Sequence, residues 1–79
     1  MKVIVATCPT DHAKGLAKTL LDAKLVACVN IIPSVVSMYI WNDSVVEDSE
    51  SLLLIKTSTS LVSAVEAAFH QAHPYDVPE

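Results

Sequence analysis

The chain is 79 residues long, and a chain of this size buries only about 60% of the surface that its unfolded form exposes. Its composition excludes disorder, because 52% of the residues are hydrophobic and only 18% are charged. The formal net charge is −4 and every basic residue is a lysine, which argues against a nucleic-acid-binding domain. One small core does not need so much apolar material. We therefore expect part of it to pack against a partner, most simply another copy of the chain.

The cysteines and the N-terminus indicate the compartment. The apolar run at residues 3–6 is too short for a secretory signal peptide, so we expect a cytoplasmic protein in which Cys8 and Cys28 are reduced. The uncharged run at residues 25–42 approaches the length of a membrane-spanning helix. Its proline, asparagines and β-branched residues favour extended structure instead, so we expect no insertion into a membrane.

The first third of the chain predicts a strand and a helix. Residues 2–8 form an apolar run that ends at Pro9, which indicates a strand buried on both faces. Thr10 is expected to cap the following helix, with Asp11 in its first turn. The apolar residues that follow recur at helical spacing, and this pattern predicts a buried stripe. The stripe consists of Ala13, Leu16, Ala17, Leu20 and Leu21.

The rest of the chain predicts a long hairpin and a second helix. Residues 26–41 read as extended, with a bulge or an edge at Pro33 because proline cannot donate to a strand ladder. Residues 42–44 suit a turn, and residues 45–57 suit a second long strand. Residues 58–60 then suit a helix cap, and Pro74 should end that helix. Its expected buried stripe is Val62, Val65, Phe69 and Ala72.

The order of these elements defines the expected fold. It is an α+β, ferredoxin-like βαββα(β) plan, in which an antiparallel sheet carries both helices on one face. We expect a single domain over residues 1–79, incomplete at its C-terminus because the plan's last strand is missing from this chain. In this plan the third strand separates the first from the second, so no disulfide between Cys8 and Cys28 is expected.

Five motifs occur in order along the chain. They are TCP at 7–9, LVACVNIIP at 25–33, YIW at 39–41, VEDSE at 46–50 and HPYDVPE at 73–79. Together they strongly resemble the CutA family, the divalent-cation tolerance proteins. The resemblance implies a homotrimer assembled through long hairpins and sheet edges. It also implies a role in tolerance of copper and other divalent cations, as for bacterial members, whereas animal members are associated with a membrane esterase.

The same resemblance implies a copper site. In bacterial members, copper binding is ascribed to a cysteine on the first strand and to histidines just before the Pro-Tyr motif; Cys8 and His73 come nearest to that pattern. Thiolate and imidazole are donors that copper favours. Ala72 stands in place of a second histidine, and Cys8 lies two residues later than the pattern has it. We therefore expect weak copper binding, with a buried thiol and a helix-ending histidine as the alternative.

Other acidic residues and histidines are weaker candidates for metal ligands than Cys8 and His73. Glu66 and His70 share a helix face with His73, and a solvated face is the simpler interpretation. The acidic residues Glu47, Asp48 and Glu50 lack the alternating ligands and the glycine of a calcium loop. We expect them to be solvated charges that protect the hairpin from aggregation.

The aromatic residues bear on assembly and on the alternative function. We expect Tyr39, Trp41 and Tyr75 to lie at the trimer contact, or to line a cleft between subunits. No glycine-rich phosphate loop or nucleophile elbow occurs, so we expect neither an enzyme nor an organic cofactor. Two functions are open: a trimer that binds copper weakly, or a trimeric scaffold or small-molecule sensor that uses the cleft and has no role for metal.

Overall fold

In the computed structural model of the chain, residues 1–72 are described, and His73 and Tyr75 therefore lie outside the described part. The order of the elements agrees with the order expected from the sequence. The elements are β1 (Lys2–Cys8), α1 (Thr10–Asp22), β2 (Cys28–Trp41), β3 (Ser44–Thr57), a single 3₁₀ turn (Thr59–Leu61) and α2 (Val62–Ala72).

The three strands of residues 1–72 form one antiparallel sheet in the order β1-β3-β2. Strand β3 pairs with both neighbours, so it lies between Cys8 of β1 and Cys28 of β2. Both cysteines are free, as expected from this order. The arrangement confirms the ferredoxin-like α+β fold.

Both helices pack on one face of the sheet. Leu20 of α1 and Phe69 of α2 belong to the same buried cluster as Leu53 and Ile55 of β3. Burial of each such side chain contributes about 1.5–3 kcal/mol. In residues 1–72, neither helix has the length and apolar character needed to cross a membrane. Leu21 and Ala72 depart from the expected stripes and are exposed, each in the last turn of its helix.

The prediction that β1 is buried on both faces is wrong for the described chain. Ala6 and Cys8 lie in the core, but Val3 and Val5 are 55% and 62% exposed. Successive strand residues point to opposite faces, and the helices α1 and α2 cover one of those faces. The other face of β1 is therefore open and apolar.

The start of α1 also differs from the prediction. Thr10 is the first helical residue, Pro9 occupies the cap position, and no side chain caps the helix. The Thr10 hydroxyl instead donates a hydrogen bond of 3.3 Å to the carbonyl oxygen of Pro33 in β2. Thr10 thus ties the helix to the hairpin.

The hairpin contains the bulge expected at Pro33. Ile32 pairs with Leu52 and Val35 pairs with Glu50, so β2 carries one extra residue at this point. At the far end, Asn42 and Asp43 have φ angles of 50° and 62°, the left-handed conformation that a two-residue hairpin turn requires. The hairpin therefore has two halves, one inside the three-stranded sheet and one beyond it.

Candidate functional site

Cys8 is the last residue of β1 and lies opposite Ser51 of β3. Its side chain is fully buried. Burial raises the pKa of the Cys8 thiol, and the negative charges of Glu50 and Asp11 raise it further. The thiol is therefore protonated at neutral pH, and it must lose that proton before it can bind a metal.

A small polar cluster adjoins Cys8 at the bulge. Ser51 Oγ donates to the carbonyl oxygen of Pro33 at 3.0 Å, and Thr10 Oγ1 donates to the same oxygen. The two hydroxyl oxygens are 3.3 Å apart. We call Thr10, Pro33 and Ser51 the bulge junction. It joins the start of α1 to β2 and β3, and so fixes the position of the chain that follows Cys8.

The prediction of a solvated Glu50 is wrong. This residue is only 5% exposed, whereas Glu47 and Asp48 are exposed. Glu50 lies opposite Val35, where β3 passes from the free half of the hairpin into the three-stranded sheet. No sequence signal marks this burial, because Glu50 and Leu52 lie on the strand face opposite that of the buried Leu53 and Ile55. Glu50 places a negative charge near the Cys8 thiol.

The described residues do not complete a metal site. Among residues 1–72, no three histidine, cysteine or acidic side chains are placed so that they could hold an ion. His12 contacts Asp11 at 3.8 Å on the surface. Glu66 and His70 are exposed on α2, as expected of a solvated face. Of the two expected copper ligands, Cys8 is among the described residues and His73 lies outside them.

The free half of the hairpin exposes an apolar surface. Val36, Met38 and Ile40 alternate along β2, and they are 66%, 63% and 67% exposed. Val45, opposite Ile40 on β3, is similarly exposed. We call these four residues the hairpin patch. Contiguous apolar surface of this kind is typical of interaction sites.

The aromatic residues lie on the other face of the hairpin. Tyr39 lies opposite Val46, and its hydroxyl donates to the carboxylate of Asp48. Trp41 is 65% exposed and shares the face of Tyr39, because the two are separated by one residue in a strand. The structure thus brings together Tyr39 and Trp41, two of the three aromatic residues predicted at the interface.

The fold agrees with that of a family named for tolerance of divalent ions. The model of the CutA1 divalent ion tolerance protein family matches residues 2–79, and the chain belongs to this family. It is 49% identical over 74 residues to a protein CutA homolog from Xenopus laevis, covering 92% of this chain and 49% of that protein. It is 43% identical over 79 residues to the divalent-cation tolerance protein CutA of Thermus thermophilus, covering 99% of this chain and 77% of that one.

The chain spans about half the length, or somewhat less, of the vertebrate relatives that it matches.

Solved structures are also similar to the chain in three dimensions. The divalent cation tolerance protein (Cut A1) from Thermus thermophilus has a TM-score of 0.90 at 44% identity, with 98% of this chain and 76% of that one covered. The PII-like protein CutA from Nostoc, in apo form, has a TM-score of 0.93 at 33% identity, with 100% and 75% covered.

Proposed function

We propose that the protein acts in tolerance of divalent metal cations as a homotrimer that binds copper weakly at Cys8 and His73. The main support for the proposed homotrimer is the hairpin patch, whose four apolar side chains face solvent in the single chain. The exposed Val3 and Val5 on the open face of β1 form a second apolar surface, on the opposite face of the sheet. Copies of the chain that pack these surfaces together would remove them from water, which is the main driving force for association.

The copper proposal depends on the chemistry of Cys8. A thiolate is a soft ligand that suits copper, and an imidazole from His73 would supply a second donor. Burial works against the affinity, because the raised pKa of Cys8 means that a metal has to displace a proton from the thiol. Weak binding that strengthens as the pH rises is therefore the expected behaviour.

Anaerobic calorimetric titration with copper tests this assignment. Within one chain, Trp41 is too far from Cys8 to report copper binding by its fluorescence. Trp41 pairs with Ser44 and Cys8 pairs with Ser51, and these two positions of β3 are seven residues, about 23 Å, apart along the strand. We expect Cys8→Ala and His73→Ala each to weaken binding by at least about tenfold, or about 1.4 kcal/mol. Cys28→Ala is the matched control and should bind as the wild type does. Equal affinity in all four proteins would remove Cys8 and His73 from the account.

The location and the absence of catalysis are part of the same proposal. We place the protein in the cytoplasm, without membrane insertion, nucleic acid or an organic cofactor, and we assign it no enzymatic reaction. The family description names tolerance of divalent ions and no reaction. Two plant relatives, each 45% identical, are named as chloroplastic. Fractionation of the source cells tests the compartment.

A second candidate function is a trimeric scaffold or small-molecule sensor that uses the cleft between subunits. Its support is the aromatic face of the hairpin, where Trp41 is exposed beside the Tyr39–Asp48 hydrogen bond. An aromatic ring with a polar group nearby suits a ligand site at an interface. Here Tyr39, Trp41 and Tyr75 would line the cleft. A ligand whose stabilising effect on thermal unfolding disappears in Trp41→Ala, in protein free of copper, would favour this function.

A further inference from the structure

An open groove lies at the end of the sheet far from the hairpin turn. Its volume is about 470 Å³, within the range of sites that hold small molecules. One wall is formed by residues 24–27, which connect α1 to β2, and the other by residues around Ser58, where β3 leads into the 3₁₀ turn. We call it the base groove. It is distant from both Cys8 and the hairpin patch, because β1 runs from it toward Cys8 and β3 runs toward it from the hairpin.

The lining of the base groove is amphipathic. Leu25, Val26 and Leu61 are half-buried and present apolar surface, and Lys24 is exposed at the same groove. The Thr57 hydroxyl is already used, since it donates to the carbonyl oxygen of Leu25 at 2.6 Å. This bond holds the two walls together. The groove therefore has an apolar wall and a long, exposed cation beside it.

Lys24 has an unusual backbone. Its φ angle is 59°, in the left-handed region, which a lysine adopts at a cost because of its Cβ atom. Its N–H donates to Leu21 O at 3.0 Å, and the N–H of Leu25 donates to Leu20 O at 3.2 Å. In this helix-ending arrangement glycine is the preferred residue. A lysine at this position gives up stability and gains a positive charge at the groove.

The distribution of charge agrees with an anionic ligand. Lys2 and Lys56 lie at the same end of the sheet as Lys24, since Lys2 pairs with Thr57 and Lys56 pairs with Val3. Asp22, two residues before Lys24, is paired with Lys18 at 3.0 Å. The carboxylates of Asp43, Glu47, Asp48 and Glu50 lie on the hairpin instead. Among residues 1–72, this end of the sheet thus carries Lys2, Lys24 and Lys56, whose positive charges attract anions to the groove.

We propose that the base groove binds a small organic anion, with the anionic group on Lys24 and an apolar body against Leu25, Val26 and Leu61. The site is independent of copper and of the hairpin patch. Both parts of the lining define the class of ligand. A neutral apolar molecule has no anionic group to pair with Lys24, and an inorganic anion has no apolar body to contact the apolar wall.

The test is a nuclear magnetic resonance titration of ¹⁵N-labelled protein with phenyl phosphate, with phenol and inorganic phosphate as separate arms. We expect saturable shifts of the amide signals of residues 24–27 and 58–61 with phenyl phosphate, and weaker binding of the other two compounds. Lys24→Gln should weaken binding by about tenfold, the loss of one charge-assisted contact. Lys14→Gln, an equal change of charge on the exposed face of α1, should leave binding unchanged.

A third variant separates binding from folding. Lys24→Gly suits the left-handed backbone, so it should fold at least as stably as the wild type and still bind about tenfold more weakly. Three results would overturn the proposal: no saturable shifts, shifts centred elsewhere in the protein, or equal weakening by Lys24→Gln and Lys14→Gln.

Discussion

The hydroxyl group of Ser51 donates a hydrogen bond of 3.0 Å to the carbonyl oxygen of Pro33, across the point where β2 carries its extra residue. Ser51 is fully buried and pairs on its other side with Cys8. A bulge leaves ladder groups without their usual partners, and here a side chain satisfies one of them. This bond links the bulge to the strand end that carries the candidate copper ligand.

The first prediction concerns this bond. Ser51→Ala should lower the free energy of unfolding by about 1–2 kcal/mol, because a buried hydrogen bond is lost while Thr10 still donates to the Pro33 oxygen. Urea denaturation of both proteins measures the difference. Ser49→Ala, two residues away and exposed, is the control and should change stability by less than about 0.5 kcal/mol. Equal effects of the two substitutions would show that the bulge junction does not contribute to stability.

The second prediction concerns the pH dependence that Cys8 confers. Its pKa is raised above the ordinary thiol value of 9.0 in the folded chain, so the unfolded chain loses that proton first as the pH rises. The unfolded state then binds fewer protons, and the free energy of unfolding falls with pH above about 9. Below that pH, Cys8 is protonated in both the folded and the unfolded state, so it does not make the free energy of unfolding depend on pH.

Denaturation of the wild type and of Cys8→Ala between neutral pH and the alkaline range isolates this contribution, because the other titrating groups are common to both. The stability difference between the two proteins should be constant at neutral pH and should shift against the wild type in the alkaline range. Parallel curves across the whole range would contradict the raised pKa.

The third prediction concerns the backbone of Lys24. Replacement by glycine should raise the free energy of unfolding by about 0.5–1 kcal/mol, since glycine adopts a positive φ without the Cβ clash. The midpoint of thermal unfolding reports the change. Lys14→Gly is the matched control and should be destabilising, because Lys14 lies within the regular part of α1, where glycine costs about 1 kcal/mol. Destabilisation by Lys24→Gly would show that this backbone position is not strained.

Much of the fold follows from local sequence patterns. The bulge at Pro33 was expected because proline lacks the N–H that a ladder needs, and the turn at Asn42 and Asp43 because these residues tolerate a positive φ. The exposure of Val3 and Val5 was not expected, because the pattern of β1 is apolar throughout. Which face the helices cover depends on contacts between distant parts of the chain.

The site was less predictable for the same reason. Cys8 stands out in the sequence, but the pattern of acidic residues does not show that Glu50 is buried while Glu47 and Asp48 are exposed. The sequence predicts that the Thr10 hydroxyl caps the helix, but in the structure this hydroxyl donates to the distant carbonyl oxygen of Pro33 instead. Lys24 gives no signal at all in the sequence, since its positive φ becomes visible only in the structure.

The assembly through the hairpin patch is the central claim, and Met38 offers the sharpest substitution. Met38 is exposed in the single chain and lies opposite Glu47 on β3. A lysine at this position can pair with Glu47, a cross-strand contact worth about 0.2–1 kcal/mol, so Met38→Lys should leave the folded subunit intact. The same lysine would place a charge at an apolar contact between copies.

Sedimentation equilibrium of the wild type and of Met38→Lys therefore tests the account most directly, with Ser63→Lys on the exposed face of α2 as an equal change of charge. We predict a mass three times the 8.5 kDa of one chain for the wild type and for Ser63→Lys, and a smaller mass for Met38→Lys. A wild type that sediments as a single chain, or a Met38→Lys protein as fully trimeric as the wild type, would contradict the account.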